Sequence, residues 1–211
     1  LCAILNFTVN RIRTFSLILI RKVGCLMKKL ILVTSPPACG KTRLSKRLCT
    51  ALDHVVYLDK DTLIPLSKQI FKVAGEANIR DYEYETILNL AFEALRYADT
   101  VLINAPFTRE IRDTAYIQNL RAKLGEYGAK LCVIWIVTDP AVCKARMMRR
   151  SSDRDTWKME HWDEYIKGVN FDIPENLRIP DDPESLLLYY NSTDDLADAS
   201  FARILPMLNQ N

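Results

Sequence analysis

The stretch Ser35-Pro36-Pro37-Ala38-Cys39-Gly40-Lys41-Thr42 matches the phosphate-loop pattern G-x-x-x-x-G-K-[ST], except that serine stands at the first glycine position. Residues 30–34 before it form the short apolar run of a buried strand, and residues 43–49 after it carry apolar side chains at helical spacing. Because this motif needs a strand before it and a helix after it, we predict a phosphate-binding loop and hence a site for a nucleotide triphosphate. The alternative is an ordinary strand–turn–helix unit that contains Gly-Lys-Thr by chance.

The residue types of the loop suit phosphate binding. The backbone N–H donors should come from the residues after the two prolines, which are Ala38, Cys39, Gly40, Lys41 and Thr42. Gly40 lets the backbone approach the phosphates, because glycine has no Cβ. Lys41 supplies a positive charge for the β- and γ-phosphates, and Thr42 supplies a hydroxyl ligand for Mg²⁺.

Length and charge limit the classes of protein to which the chain can belong. With 211 residues, 49% apolar and 26% charged, it has the size and composition of one globular domain. The formal net charge is +3, but residues 1–26 hold four basic residues and no acid, which leaves 25 basic and 26 acidic residues in 27–211. The main domain is therefore not a strongly basic nucleic-acid binder.

Residues 1–26 are predicted to be an N-terminal extension outside the fold, and residues 27–211 to form the domain. Met27-Lys28-Lys29 leads straight into the first strand, as a natural start would. The longest uncharged apolar run of the extension, residues 15–20, is too short to span a bilayer. A targeting segment is the alternative, because an arginine-bearing segment without acids can resemble a transit peptide.

The six cysteines are predicted to be reduced, as in a cytoplasmic protein. They stand at positions 2, 25, 39, 49, 132 and 143, without C-x-x-C spacing and without the pattern of a disulfide framework or zinc site. Cys39 is interpreted as a small neutral residue of the loop. A redox role for Cys39 is the alternative, because a helix N-terminus can lower the pKa of a thiol.

Short apolar segments alternate with helical patterns along the main domain. The apolar segments, interpreted as strands, are residues 30–34, 54–58, 100–104, 129–137 and 186–190. The helical patterns cover residues 43–49, 62–73 with an interruption near Pro65, 81–97, 109–127, a stretch from Asp139-Pro140, 157–169 and 194–208. This alternation predicts an α/β fold in which helices cover both faces of a parallel sheet. Ligands of such sheets bind beyond the carboxyl ends of the strands.

Polar residues at the strand ends are the candidates for chemistry. Asp59 and Asp61 follow the second strand, where one carboxylate could accept a proton from a substrate hydroxyl or hold Mg²⁺ through water. We assign that role to Asp61 and place Asp59 at the substrate, whereas the alternative is a helix N-cap with a solvated neighbour. The third strand ends at Asn104, which brings no charge and shifts metal binding towards Thr42 and Asp61.

Two further groups near the predicted site are open to two interpretations. Arg109 could bind an anionic substrate, or it could be a solvated charge at the start of a helix. Asn191-Ser192-Thr193, after the last strand, could line an adenine pocket or form a turn. We include Arg109 among the substrate-binding candidates and Asn191 among the nucleotide-binding candidates.

Four arginines crowd one short stretch, at positions 146, 149, 150 and 154. Arg146 and Arg150 are four residues apart and therefore lie on one helix face. The cluster could close over the triphosphate as a mobile lid, because Ser151-Ser152-Asp153 interrupts the helix. The alternative is an exposed basic helix end that the helix dipole favours.

With these motifs the chain resembles the small P-loop kinases, a group that includes shikimate and gluconate kinases, adenylylsulfate kinase, chloramphenicol phosphotransferase and the zeta-toxin type. It looks most similar to the compact zeta-like ATP-binding proteins that are often labelled AAA-family ATPases. The resemblance covers residues 30–208. It implies a three-layer P-loop NTPase fold with strand order 2-3-1-4-5 and a helical lid.

The resemblance also implies roles for single residues. Lys41 and Thr42 would hold phosphate and Mg²⁺, Asp61 would handle the acceptor hydroxyl, and Arg146 and Arg150 would be lid arginines. Three positions depart from the commoner residues of the group: Ser35, Ala38 and Asn104.

These features lead us to expect an ATP-dependent phosphotransferase that uses Mg²⁺ and moves the γ-phosphate to a hydroxyl of a small molecule. We expect a cytoplasmic monomer or homodimer without membrane attachment. The alternative is an ATP-binding protein or weak ATPase with a regulatory role, which the neutral Asn104 favours. The net charge of residues 27–211 disfavours a nucleic-acid end kinase.

Overall fold

The computed structural model describes residues 27–63, residue 65 and residues 79–209. The predicted extension, residues 1–26, lies outside this part of the chain, and so does nearly all of the helix predicted over residues 62–73. Within the described ranges, no helix is both long and apolar enough to cross a membrane.

A five-stranded parallel sheet forms the centre of the domain. In chain order the strands are β1 (Lys28–Thr34), β2 (Val55–Asp59), β3 (Thr100–Asn104), β4 (Ala129–Val137) and β5 (Leu186–Tyr190). Their order across the sheet is β2-β3-β1-β4-β5, and all neighbours run parallel, which confirms the predicted class and strand order. The register places Asn104 beside both Val33 and Asp59, so that the ends of β1, β2 and β3 meet.

The described residues contain seven α-helices and four short 3₁₀ turns. The helices are α1 (Lys41–Ala51), α2 (Ile79–Ala94), α3 (Thr114–Gly125), α4 (Pro140–Arg150), α5 (Thr156–Glu160), α6 (Trp162–Lys167) and α7 (Asp194–Asn209). The 3₁₀ turns are Lys60–Thr62, Glu110–Arg112, Asp153–Asp155 and Glu175–Leu177. We call the segment from α4 to α6, residues 140–167, the helical lid.

Two apolar cores lie on opposite faces of the sheet, because successive side chains of a strand point to opposite sides. Leu30 and Leu32 of β1 pack with α2 and α3, whereas Ile31 and Val33 pack with α1 and α7. All four side chains are fully buried, and each burial contributes about 1.5–3 kcal/mol. Burial on both faces explains why the strands are continuous apolar runs rather than alternating ones.

Two helices that we predicted as continuous are interrupted, so these predictions were wrong in detail. Residues 109–127 form a 3₁₀ turn and then α3, because Asp113 is extended and its carboxylate caps α3, accepting from Tyr116 N at 3.1 Å. Residues 157–169 form α5 and α6, which are separated by the non-helical backbone of His161 (φ −119°, ψ 42°).

Candidate phosphate-binding site

The loop between β1 and α1 has the backbone conformation that its sequence requires. Ala38 and Gly40 both have positive φ angles, 63° and 102°, and they flank the buried Cys39. The carbonyl of Cys39 accepts hydrogen bonds from Thr138 Oγ1 at 3.2 Å and from Asn191 Nδ2 at 2.5 Å. These bonds fix the loop at the start of α1, where the first N–H groups of a helix have no acceptor within the helix.

Lys41 is folded back over the carbonyls at the beginning of the loop. Its Nζ donates to the carbonyl oxygens of Ser35 and Pro36 at 3.0 and 3.1 Å, and it lies 3.5 Å from Ser35 Oγ. Burial disfavours the charged ammonium and lowers the pKa of Lys41 to about 8. A bound anion would therefore stabilise the protonated form of this lysine.

A polar network connects the ends of β2 and β3 to the loop. Asn104 Nδ2 lies 3.1 Å from Thr42 Oγ1, 3.2 Å from the Tyr57 hydroxyl and 2.9 Å from Asp59 Oδ2. The Tyr57 hydroxyl donates to Asp59 Oδ2 at 2.7 Å, and burial together with this carboxylate raises the pKa of Tyr57. Asn104 Oδ1 is buried and has no hydrogen-bond partner among the described residues. The network thus leaves one buried oxygen acceptor beside the Thr42 hydroxyl.

Asp59 and Asp61 have different structural roles. Asp59 Oδ1 accepts from Asp61 N at 3.0 Å and caps the 3₁₀ turn Lys60–Thr62. Asp61 is exposed and lies on the wall of the cavity above the loop. Asp59 therefore performs the capping, and both aspartates contribute to the cavity wall.

The cavity above the loop has a volume of about 840 Å³. Most of the predicted site residues line it, namely Ala38, Gly40, Lys41, Thr42, Asp59, Asp61, Arg146, Arg150 and Asn191. Two do not. Cys39 is fully buried beneath the loop, and Arg109 is 64% exposed elsewhere, where it forms ion pairs with Asp81 at 2.8 Å and Glu110 at 3.3 Å. In this conformation Arg109 contributes nothing to the cavity wall.

The lid brings several cations to the same cavity. Arg146 Nη2 donates to the Asn191 carbonyl at 2.8 Å, while its Nη1 is buried without a partner among the described residues. Arg149 and Arg150 also line the cavity. The side chain of Arg154, the fourth arginine of the predicted cluster, lies outside the described part of the chain. α4 ends as predicted, because Ser151 takes a left-handed conformation (φ 45°).

Asp155 and Lys158 are lid residues that the sequence did not point out. Lys158 lines the cavity and donates to Asp155 Oδ1 at 3.0 Å, and Arg150 Nε donates to Asp155 Oδ2 at 2.9 Å. Burial alone would raise the pKa of Asp155, but the hydrogen bonds from Lys158 and Arg150 outweigh it and lower that pKa. Asp155 thus holds two cations at the cavity. The sequence signal that could have identified Asp155 is an acidic residue five positions after Arg150.

Gly40 is the loop position at which we expect substitution to be most damaging to the fold. A Cβ at Gly40 would lie 2.2 Å from Asn191 Nδ2, at a φ of 102° that L-residues rarely adopt. Gly40→Ala should therefore lower the free energy of unfolding by about 2–4 kcal/mol, from backbone strain and the displaced Asn191 hydrogen bond. Urea unfolding followed by circular dichroism measures this loss.

Gly125→Ala is the matched control for that substitution. Gly125 lies in the last turn of α3, and apart from its chain neighbours and its own helix backbone no heavy atom of the described residues lies within 4 Å of the place where its Cβ would be. This variant should be unchanged or stabilised by up to about 1 kcal/mol. Equal unfolding midpoints for the two variants would contradict the close packing of Gly40 against Asn191.

Comparisons with known proteins agree with this architecture. The family model of the AAA domain matches residues 30–171, which is more than half of the chain. No protein with a curated description matches the chain significantly.

Solved structures with the same fold cover nearly the whole main domain. A protein from Chloroflexus aurantiacus, provisionally named a kinase, has a TM-score of 0.60 at 21% identity, over 87% of this chain and 98% of its own. The Mycobacterium tuberculosis APS kinase CysC, in complex with AMPPNP and APS, has a TM-score of 0.53 at 13% identity, over 87% and 99%. Chaetomium thermophilum Kti12, in complex with ADP-AlF3, has a TM-score of 0.54 at 17% identity, over 85% and 96%. With strand order, phosphate loop and family model in agreement, the chain belongs to the AAA domain family and has the P-loop NTPase fold of the small P-loop kinases.

Proposed function

We propose that the protein is an ATP-dependent phosphotransferase that moves the γ-phosphate of ATP to a hydroxyl of a small molecule. The observation that carries this proposal is the convergence of three kinds of group on one cavity. The phosphate loop with Lys41, the acidic residue Asp61 and the lid arginines all line it. A site that only binds ATP needs the phosphate loop and the arginines. A carboxylate near the transferring phosphate is needed in addition when an acceptor hydroxyl must lose its proton.

Three unpartnered polar atoms support a ligand in this cavity. Within the described residues, Asn104 Oδ1, Arg146 Nη1 and Asn191 Oδ1 are buried without hydrogen-bond partners, and all three residues line the cavity. Buried polar groups are rarely left unsatisfied unless a ligand or water completes them. Arg146 Nη1 suits a phosphate oxygen, because a guanidinium binds phosphate with charge-assisted hydrogen bonds.

The residues present also fit Mg²⁺, which prefers oxygen ligands. Thr42 would supply its hydroxyl, and Asp61 or Asp59 would supply a carboxylate, directly or through water. Asp59 lies 2.9 Å from the amide of Asn104, so its charge stands beside the neutral residue at the end of β3. Bound Mg²⁺ would neutralise negative charge on the transferring γ-phosphate and on the departing ADP.

Side chains of the protein would perform the proton transfer and stabilise the transferring group. Asp61 would accept a hydrogen bond from the acceptor hydroxyl and take its proton as the new bond forms. Lys41, Arg146 and Arg150 would stabilise the negative charge on the transferring group, and closure of the lid would keep water from competing with the acceptor. Two of the structurally similar proteins, the APS kinase and Kti12, were solved with adenine nucleotides, which supports ATP as the donor.

A second candidate function is an ATP-binding protein or weak ATPase with a regulatory role. The neutral Asn104 at the end of β3 favours it, because no carboxylate follows the strand next to the loop. ADP release measured with Mg·ATP and a panel of small hydroxylated metabolites distinguishes the two. A phosphotransferase should release ADP at least tenfold faster with its acceptor and yield a phosphorylated product. Slow hydrolysis that no acceptor accelerates would favour the second function.

The lowered pKa of Lys41 predicts a proton linked to nucleotide binding. In the free protein the pKa of Lys41 is about 8, and phosphates would raise it by stabilising the charged form. Binding above pH 8 should therefore take up a fraction of a proton, and binding near pH 6 should take up none at this residue. Calorimetry at pH 8.5 in buffers of different ionisation enthalpy measures this uptake.

Lys41→Arg is the control for the linked proton, because a guanidinium stays charged throughout this range. Residual nucleotide binding by this variant should take up a smaller fraction of a proton at pH 8.5 than binding by the wild type does. If the wild-type enthalpy of binding did not vary with the buffer at that pH, the pKa of Lys41 would not be lowered.

A further inference from the structure

Two thiols meet directly beneath the phosphate loop. Cys39 Sγ lies 3.5 Å from Cys143 Sγ, and both residues are fully buried. Cys39 is the central residue of the loop, and Cys143 lies in the first turn of α4, the helix that carries Arg146 and Arg150. Both thiols are free. The contact therefore joins the floor of the cavity to its lid through two oxidisable atoms.

We propose that Cys39 and Cys143 form a disulfide on oxidation, and that this bond withdraws the phosphate loop from the cavity and lowers nucleotide affinity. Formation of the bond follows from the position of the thiols, whereas its consequence rests on the proposed function. The sulfurs of a disulfide are about 2.05 Å apart, so the two atoms must approach each other by about 1.5 Å.

The direction of this movement follows from the packing. Cys39 points into the apolar core in which Cys143, Leu44 and Ile134 also lie, while Ala38 and Gly40 on either side of it line the cavity. A shift of Cys39 towards Cys143 therefore draws the loop into the core and away from the phosphates. Because the Cys39 carbonyl accepts hydrogen bonds from Thr138 and Asn191, this shift must also weaken those two bonds.

The two thiols differ in the way that a two-step oxidation needs. The hydrogen bond between the two thiols and the charge of Lys41 outweigh burial and lower the pKa of Cys39. The hydrogen bond to Cys39, together with burial, raises the pKa of Cys143. Cys39 is thus the attacking thiolate and Cys143 the resolving thiol, which remains protonated until the second step.

Hydrogen peroxide is the oxidant that this pair would use, because it is small; both thiols are fully buried, so the phosphate loop must open for peroxide to reach Cys39. The Cys39 thiolate attacks one peroxide oxygen, the O–O bond breaks, and hydroxide leaves, which gives a sulfenic acid. Cys143 sulfur then attacks Cys39 sulfur, the S–O bond breaks, and the hydroxyl leaves as water with the proton of Cys143. Two thiols are oxidised, and one peroxide is reduced to two waters when the hydroxide takes the proton that Cys39 lost.

Peptide mapping of the full-length protein tests bond formation. The protein is treated with hydrogen peroxide, its remaining thiols are blocked with N-ethylmaleimide, and tryptic peptides are analysed by mass spectrometry. We expect a dithiothreitol-sensitive link between peptides 30–41 and 131–144. The second peptide also contains Cys132, so fragment ions must place the link at Cys143. Saturating Mg·ATP should slow formation of the link at least several-fold, because a nucleotide bound over the loop would hinder its opening.

Cys143→Ala and Cys132→Ala are a matched pair, since both remove a fully buried thiol. Peroxide should form the link and lower ATP affinity at least tenfold in the wild type and in Cys132→Ala, whereas Cys143→Ala should form no link and should retain Cys39 as a sulfenic or sulfinic acid. The peptide map of the wild type shows whether the bond forms even if a variant does not fold.

Three results would overturn parts of this proposal in distinguishable ways. Oxidation of folded wild type that leaves Cys39 as a sulfinic acid, or joins it to another cysteine, refutes the pair. A Cys39–Cys143 bond with unchanged ATP affinity refutes withdrawal of the loop. Failure of the reduced protein to bind ATP refutes the proposed function, while the peptide map still decides whether the bond forms.

Discussion

Replacing Lys41 with alanine should weaken ATP binding by about 10²–10³-fold while the protein stays folded. The Lys41 ammonium lies over the start of the loop, where it would meet the β- and γ-phosphates. Removing one partner of such a buried charge pair costs about 3–5 kcal/mol, and each 1.4 kcal/mol is a factor of ten in affinity. In the free protein the substitution removes the hydrogen bonds to the Ser35 and Pro36 carbonyls and the weaker contact with Ser35 Oγ, a loss of about 1 kcal/mol. Fluorescence titration with a labelled ATP analogue and thermal unfolding measure the two effects.

Lys46→Ala is the matched control for the lysine substitution. Lys46 lies on the same helix, α1, but its side chain is exposed and does not line the cavity. Its removal changes the net charge of the protein by the same amount and should leave ATP affinity within about twofold. If Lys41→Ala and Lys46→Ala bound ATP equally well, the loop could not be the phosphate site.

The strands and the loop were predictable because their signals are local. A strand that is buried on both faces is a continuous apolar run, and the phosphate loop is defined by residues at fixed spacing between a strand and a helix. The ends of β3, β4 and β5 agree with the sequence prediction residue for residue. One helix was predicted too long because Asp113 lies within an otherwise periodic segment and caps α3 there.

The parts of the site that were not predictable depend on contacts between distant segments. Asn104 was interpreted as a neutral residue at the end of β3, but sheet register also places its amide 2.9 Å from the carboxylate of Asp59. Asn191 was interpreted as either a pocket residue or a turn. It lines the cavity and also holds the Cys39 carbonyl, 152 positions away in the chain. No pattern around either asparagine contains this information.

Asp61→Asn is expected to reduce phosphate transfer by about 10²–10⁴-fold and to leave ATP affinity within a few-fold of the wild type. The range is that of a removed general base, since an amide cannot take the proton of the acceptor hydroxyl. Asparagine has nearly the same shape, and the Asp61 side chain is exposed, so the fold should be unaffected. Transfer is measured as acceptor-dependent ADP release at saturating Mg·ATP, and affinity is measured separately by titration.

Asp59→Asn should behave differently, and the contrast tests the assignment of the two carboxylates. Asp59 accepts hydrogen bonds from the Tyr57 hydroxyl, the Asn104 amide and the Asp61 backbone N–H. Its replacement weakens all three and puts two amides in contact, so this variant should lose about 1–3 kcal/mol of stability and bind Mg·ATP more weakly. Transfer that survives in Asp61→Asn but fails in Asp59→Asn at saturating Mg·ATP would make Asp59 the base. If only Asp61→Asn lost phosphate transfer, and its ATP affinity and unfolding were unchanged, the step removed by the substitution would be proton transfer.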